Sequence, residues 1–224
     1  MIGMDVDFIN SRINQLMELF SMTPKSLGGE LDMRPAIKES VKELEESGRL
    51  IRDRYYAPEL FQSGEALLHS DLFANLILRV ASHLSLTGFN AQSHSLAKVN
   101  KVLHGLDFFP TSPIPAVLKL VHPVGTVIGS TQLKSFSAVY QGVSVGARIP
   151  NSDSDGYPVF EGPVILFARS AVFGNSIIGP KVVFGADSMV IDVEVPANTV
   201  VVGRYPNHRF LPGGSEIFQK FFKL

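Results

Sequence analysis

Across the second half of the chain one large apolar residue recurs every six positions, and that period limits the fold more than any other feature. Written in sixes, residues 121–146 read VHPVGT, VIGSTQ, LKSFSA, VYQGVS and VG, and residues 160–190 read FEGPVI, LFARSA, VFGNSI, IGPKVV, FGADSM and V. The first positions are Val121, Val127, Leu133, Val139, Val145, Phe160, Leu166, Val172, Ile178, Phe184 and Val190. The fifth positions, among them Thr131, Ser137, Val143, Val164, Ser170, Ser176, Val182 and Ser188, are small or β-branched. A period of six fits neither a helix, with a period near 3.6, nor a lone strand, with a period near 2. It fits a coil with three flat sides, each a short strand and a turn. The first residue fills the central shaft, and the fifth sits near a corner with room only for a small side chain. Gly129, Gly146, Gly174–Asn175, Gly179 and Gly185 read as corner turns that tolerate positive φ. Stacked coils pair their strands in parallel, each burying what its neighbour exposes. The rival arrangement is a sandwich of short strands, but sandwich strands vary in length and do not hold one phase for so long.

The first half follows the helical period instead. Phe8, Ile13, Leu16, Leu19 and Phe20 predict a first helix with Asp5 or Asp7 as N-cap, closed by Pro24 and Gly28–Gly29. Further helices are predicted over 34–50, 58–67, 71–86 and 93–103. The segment from Phe108 to Pro115 holds three prolines and cannot be helix interior, which places a boundary there. The expected organisation is a helical domain over 1–110, the repeat domain over 116–203, and a tail with a short helix over 204–224. Between Ala147 and Val159 the repeat breaks into the polar run RIPNSDSDGYP, the kind of corner insertion in which a solenoid carries a binding loop.

The motifs HPVGTVIG (122–129), VYQGVSVG (139–146), YPVFEG (157–162), FGNSIIGPKVVFGADSMV (173–190) and VPANTVVVGRYPNHRF (195–210) resemble the hexapeptide-repeat acyltransferases, most nearly their serine acetyltransferase-like branch. The resemblance implies an α+β chain: an N-terminal helical domain, a left-handed parallel β-helix and a short C-terminal helix. It further implies acetyl transfer from acetyl-CoA to a hydroxyl or amine of a small molecule, serine-like or a sugar, with acetyl-CoA as co-substrate and no metal. It implies a homotrimer or dimer of trimers. A histidine as general base suits that chemistry, because the acceptor must lose a proton as it attacks the thioester and imidazole titrates near neutrality. His122 is the only histidine inside the repeats and is the candidate base, predicted to point outward from the first coil. Gln141, Tyr157 and Asp155 are the candidate acceptor-binding residues. The resemblance places CoA against Ala168, Gly185, Ala186, Gly203, Arg204 and Arg209, the arginines facing phosphate. The chain also departs from serine acetyltransferases. Tyr157 stands where they carry a histidine before proline, Lys134 and Ser135 lie nearest to where they carry an Asp–His pair, and Leu120 replaces an acidic residue.

Composition narrows the alternatives. A net charge of −1 without a basic block argues against nucleic acid. The absence of cysteine removes disulfides, thiolate metal sites and cysteine nucleophiles. The N-terminus lacks a signal-peptide pattern, and the most apolar helical stretch, 72–86, is too short to span a bilayer, so a cytoplasmic protein without membrane contact is expected. A carbonic anhydrase of the same fold would need three histidines around zinc, and the prism offers His122 with His208 beyond its last coil. A sugar nucleotidyltransferase would need a Gly-rich nucleotide loop in the first half, which is not there. The remaining rival is an assembly protein that keeps the prism without chemistry. The outward Phe136, Tyr140 and Phe167 are expected to cover a trimer face.

Overall fold

The structure, a computed structural model, describes residues 5–20, 31–63, 65–148 and 156–224. The repeats form the expected left-handed parallel β-helix with three walls. The first wall holds β1 (Leu106–Phe108), β3 (Thr126–Ile128), β5 (Ser144–Gly146), β8 (Ala171–Phe173) and β11 (Met189–Ile191). The second holds β2 (Leu118–Val121), β4 (Ser137–Tyr140), β7 (Val164–Leu166), β10 (Val182–Phe184) and β13 (Thr199–Val202), and β14 (Arg209–Pro212) closes it antiparallel. The third holds β6 (Val159–Phe160), β9 (Ile177–Ile178) and β12 (Glu194–Val195). Strand β1 precedes the proline-rich segment, so the first wall begins directly after the helices.

The shaft is filled by columns in register: Leu120, Val139, Leu166, Phe184 and Val201 from the second wall, and Ile128, Val145, Val172 and Val190 from the first. Nine of the eleven predicted first positions are buried, none above 2% exposure. Val121 and Val127 are the exceptions, Val127 being 45% exposed, and Leu120 and Ile128 take the inward places. The cause is the first corner. Eight positions separate Leu120 from Ile128, against six from Val139 to Val145, so His122–Gly125 shifts the phase on both sides. At the fifth positions Ser137, Ser176 and Ser188 bond the corner carbonyls of Lys134, Phe173 and Gly185, which explains why small hydroxyls suit these places. The glycine expectation needs correction. Of the predicted turn glycines only Gly174 has positive φ, while Phe136, Arg169, Lys181, Asp187, Asp192 and Asn198 adopt it without being glycine. Gly179 is small for another reason: a Cβ there would come within 2.7 Å of the Ala197 backbone nitrogen on the next coil.

The helices are α1 (Val6–Leu19), α2 (Arg34–Leu50), α3 (Pro58–Ser63), α4 (Ser70–Leu86), α5 (Asn90–His104) and α6 (Gly214–Phe221). Asp5 is the N-cap of α1, its side chain accepting from the amides of Asp7 and Phe8. The helix predicted over 58–67 divides into α3 and a 3-10 turn, Glu65–Leu68. The predicted stop at Pro24 and Gly28–Gly29 lies outside the described residues. No described helix is long and apolar enough to cross a membrane.

The helices cover the outside of the second wall. Its outward column, Ala138, Ile165 and Val183, joins one apolar cluster with Ile37, Leu44, Leu76, Phe218 and Phe222. At the top of that column Lys119 pairs with Asp53 at 2.8 Å and lies over the ring of Phe221. Phe136, Tyr140 and Phe167, expected on a trimer face, instead meet the chain's own C-terminus: Tyr140 and Phe167 pack with Phe221, and Phe136 packs edge-on with Phe222. The tail can reach them because β14 reverses the chain and Gly214 approaches the Lys181 and Asn198 backbones, where any side chain would collide. Fully buried Arg79 ties the two halves together. It donates to Glu43, to Asn75 and to the carbonyls of Pro115 and Ala116.

Candidate functional site

One edge of the prism, where the second wall turns into the first, gathers most of the predicted site residues. The amide of Gly142 donates to Val124, that of Arg169 to Gln141 and that of Asp187 to Ala168, so the corners stack row on row. Gly203 continues the stack by accepting from Met189, and Arg204 bridges to the same residue. His122, Gln141, Ala168, Gly185–Ala186 and Gly203–Arg204 therefore occupy five successive rows. At about 4.8 Å per strand spacing, four steps span roughly 19 Å. Arg209 lies opposite Val202 in the closing hairpin, which returns it to the Arg204 end.

His122 opens the edge, 78% exposed and with φ of 47°. Its amide donates to Asp71 at 3.0 Å, and its Nδ1 lies 3.9 Å from the same carboxylate oxygen. Asp71 stands in the first turn of α4, so the helical region supplies the acid nearest to the candidate base. Two more side chains finish this end of the solenoid. The Tyr56 hydroxyl donates to the Leu120 carbonyl and accepts from its amide, and Asn75 donates to the Leu118 carbonyl. Edge strand β2 is thus capped by side chains rather than left open. Burial pushes the Tyr56 hydroxyl well above the ordinary tyrosine range. Sequence reasoning missed Asp71, Tyr56 and Asn75, because nothing local marks a helix residue as the cap of a distant strand.

Gln141, half-buried in the second row, carries a buried side-chain oxygen with no hydrogen-bond partner among the described residues. Lower on the edge Arg169 grips Asp187 through two bonds of 2.7 Å. That grip, with the charge of Arg204 beyond, holds the Asp187 carboxyl below its usual range. Positive charge increases toward Arg204 and Arg209, the end at which phosphates would be favoured.

Tyr157 stands elsewhere. It lies over Gly129 at the opposite border of the first wall, where a Cβ on that glycine would come within 2.9 Å of its ring. Within the chain the first wall separates Tyr157 from His122. The stems of the inserted loop are firmly held: Arg148 pairs with Asp192 at 2.6 Å, the Asn175 amide donates to Asp192, and Thr131 donates to the Pro158 carbonyl. The Asn175 amide and Arg148 together keep the Asp192 carboxyl below its ordinary range. Asp155 lies outside the described residues. Of the helix histidines, His83 on α4 bonds Glu43 on α2, and His104 on α5 bonds Ser70 on α4.

No protein-family model matches the chain. A serine acetyltransferase of Synechococcus elongatus is 31% identical over 109 residues, 48% of this chain and 44% of that protein. One of Staphylococcus xylosus is 30% identical over 127 residues, 56% of this chain and 57% of its own length. The chain thus spans about half the length of the curated relatives it matches. Among solved structures, serine acetyltransferase of Neisseria gonorrhoeae superposes with a TM-score of 0.64 at 23% identity, covering 80% of this chain and 67% of that one. The Brucella abortus serine acetyltransferase in complex with coenzyme A gives 0.62 at 20% identity, with the same 80% and 67% coverage. The chain has the hexapeptide-repeat β-helix fold of the serine acetyltransferases and is similar to them in sequence over about half its length.

Proposed function

We propose that the protein is a CoA-dependent acyltransferase that moves an acetyl group from acetyl-CoA to a hydroxyl or amine of a small molecule, a serine-like amino acid or a sugar. The observation that carries this reading is the single edge on which His122, Gln141, Ala168, Gly185, Ala186, Gly203, Arg204 and Arg209 stack. An extended pantetheine arm can lie along such an edge, with its phosphates toward Arg204 and Arg209 and its thioester toward His122. The acceptor, with Gln141 beside it, gives its proton to His122 as its oxygen or nitrogen attacks the thioester carbonyl. Collapse of the tetrahedral intermediate expels the CoA thiolate, which takes that proton.

The active form in this proposal is a homotrimer or dimer of trimers, in the cytoplasm. Because the second wall is already covered, the trimer contact falls on the first and third walls, where Val127, Val159 and Ile177 are exposed. A neighbouring protomer is then the means by which Tyr157 approaches an edge it does not share within its own chain.

Release of CoA from acetyl-CoA, measured with serine, amino sugars and nucleotide sugars, tests the proposal. Wild type is expected to turn over one of them, and His122→Ala to lose about 10²-fold or more, the scale of a general base. Unchanged turnover in His122→Ala removes that residue from the mechanism. Failure to bind acetyl-CoA overturns the enzymatic reading in favour of an assembly protein.

A further inference from the structure

Arg169 and Asp187 stand in the third and fourth rows of the edge that runs from His122 to Arg204. The Arg169 stem reaches back to the second row, where a Cβ on Gly142 would come within 3.1 Å of its Cγ. Its guanidinium reaches forward to Asp187, Nε to Oδ1 and Nη2 to Oδ2, each at 2.7 Å. The pair spans the middle of the edge, so a molecule laid from His122 to Arg204 passes over it. The fold itself gains little from these two residues. Both have positive φ, 58° and 61°, a corner conformation that glycine adopts at less cost. Both side chains are half or more exposed, where an ion pair adds little stability. Neither bonds a backbone group among the described residues. Asp192, at the other border of the first wall, is the contrast: it too has positive φ, but its carboxylate holds the Asn175 amide as well as Arg148.

The chemistry of the pair limits what it can meet. A guanidinium has about five N–H donors and a carboxylate about four acceptor positions, so the mutual grip leaves donors on Arg169 and acceptors on Asp187 side by side. Their charges cancel, and Asp187 turns phosphate away. Such a face matches a neutral group that both donates and accepts, as a secondary amide does. Arg169 lies two rows from His122 and Asp187 three, roughly 10–14 Å along the edge. The pantetheine arm of CoA carries its amides between the thioester and the diphosphate. An arm with its thioester at His122 and its phosphates at Arg204 therefore brings an amide to this height. We infer that the Arg169–Asp187 pair is a specificity determinant for the acyl donor, meeting an amide of the pantetheine arm with its remaining N–H groups and carboxylate lone pairs; this rests on the donor site proposed above. Phosphate recognition is left to Arg204 and Arg209.

Titration calorimetry of the full chain with CoA, repeated over a range of chloride concentrations, tests the inference. The double variant Arg169→Gly/Asp187→Gly removes the pair without changing net charge, and both corners already have a backbone that suits glycine, so it should fold. It is expected to bind CoA about tenfold more weakly at every salt concentration, the scale of one or two hydrogen bonds. Its salt dependence should match that of wild type, because no net charge is lost. Arg204→Met should instead lower the affinity at low salt and flatten the salt dependence. Three outcomes would overturn the inference while leaving acyl transfer untouched: CoA affinity within about twofold of wild type, a salt dependence flattened as in Arg204→Met, or an affinity lost only together with the cooperative unfolding transition. Wild type that fails to bind CoA overturns the donor site itself, and the inference with it.

Discussion

The second and first walls of the prism come from one repeat and share one shaft, but their outer surfaces are opposites. Down the second wall the outward column reads Lys119, Ala138, Ile165, Val183 and Val200, and it is covered by helices and by the C-terminal tail. Down the first wall it reads Asp107, Val127, Ser144, Ala171 and Met189, with Val127 45% exposed. On the third wall the outward Val159, Ile177 and Glu194 are likewise exposed. Inward residues answer to the shaft alone, so they repeat; outward residues answer to whatever meets each wall, so they do not. The covered wall joins the two halves through one apolar cluster and leaves Val127, Val159 and Ile177 exposed on the other two.

The most severe break of that contrast is the same substitution on two walls. Ile165→Lys puts an ammonium into the fully buried seam beneath the helices, and it is expected to cost more than about 4 kcal/mol or abolish folding. Ile177→Lys, on the third wall beside Glu194, should change monomer stability by less than about 0.5 kcal/mol and yet lower the mass of the assembled particle. Urea unfolding and light scattering on both variants read the two effects separately. A folded Ile165→Lys protein, or an Ile177→Lys protein with unaltered mass, would show that the walls are not divided in this way.

What the sequence made legible follows the same division. The shaft could be read residue by residue from Leu133 onward, because inward packing imposes a strict period. It was misread at Val121 and Val127, where the two extra residues of the His122 corner shift the phase without changing composition. The outward aromatics Phe136, Tyr140 and Phe167 were recognised as needing cover, but not that Phe221 and Phe222 of the same chain provide it. Such contacts join residues far apart in sequence and leave no local trace. That His122, Gln141 and Arg204 share one edge could not be read from the phase alone: His122 sits in the corner where the phase shifts, and Arg204, beyond the last predicted repeat, was named by resemblance. Tyr157 follows an interruption of the repeat, and its position over Gly129 could not be derived from phase.

The next largest effect should come from Arg79→Met. The guanidinium is 1% exposed and satisfies a carboxylate, an amide oxygen and two carbonyls, so its loss strands several buried acceptors at the seam. A cost of about 3–5 kcal/mol is expected, the range for breaking a buried pair by removing one partner. On the bare edge, Arg169→Met removes an equally well-formed pair with Asp187, but in full solvent, and should barely move the unfolding midpoint. Comparable losses in the two variants would mean that the seam is far wetter than its burial indicates.

The smallest effect lies in the pH dependence of the capped end. Burial holds the His104 imidazole below its ordinary value, with Asp71 only partly opposing the shift. Its Nδ1 meets the Ser70 hydroxyl at 3.0 Å, and its Nε2 is buried without a partner among the described residues, so a second ring proton has nowhere favourable to go. Well above pH 6.5 the ring is neutral in the folded and unfolded chain alike and contributes no difference. As the pH falls through that value, the unfolded chain takes up a proton that the folded one refuses, and stability declines until the folded form also titrates. Asp53 behaves differently: burial raises its pKa, but the bonds from Lys119 and the Tyr55 amide and the charges of Lys119 and Arg54 together outweigh this and leave it depressed. Its contribution is present above the usual carboxylate range and disappears only as the pH drops through the depressed value. Urea midpoints at pH 7.5, 6.5 and 5.5 should therefore fall less steeply in His104→Gln than in wild type, whereas Asp53→Asn should keep the wild-type slope there and differ only below about pH 4. An unchanged slope in His104→Gln would mean that protonated His104 finds a partner at the helix junction, and that this end of the covered wall opens more easily than its packing implies.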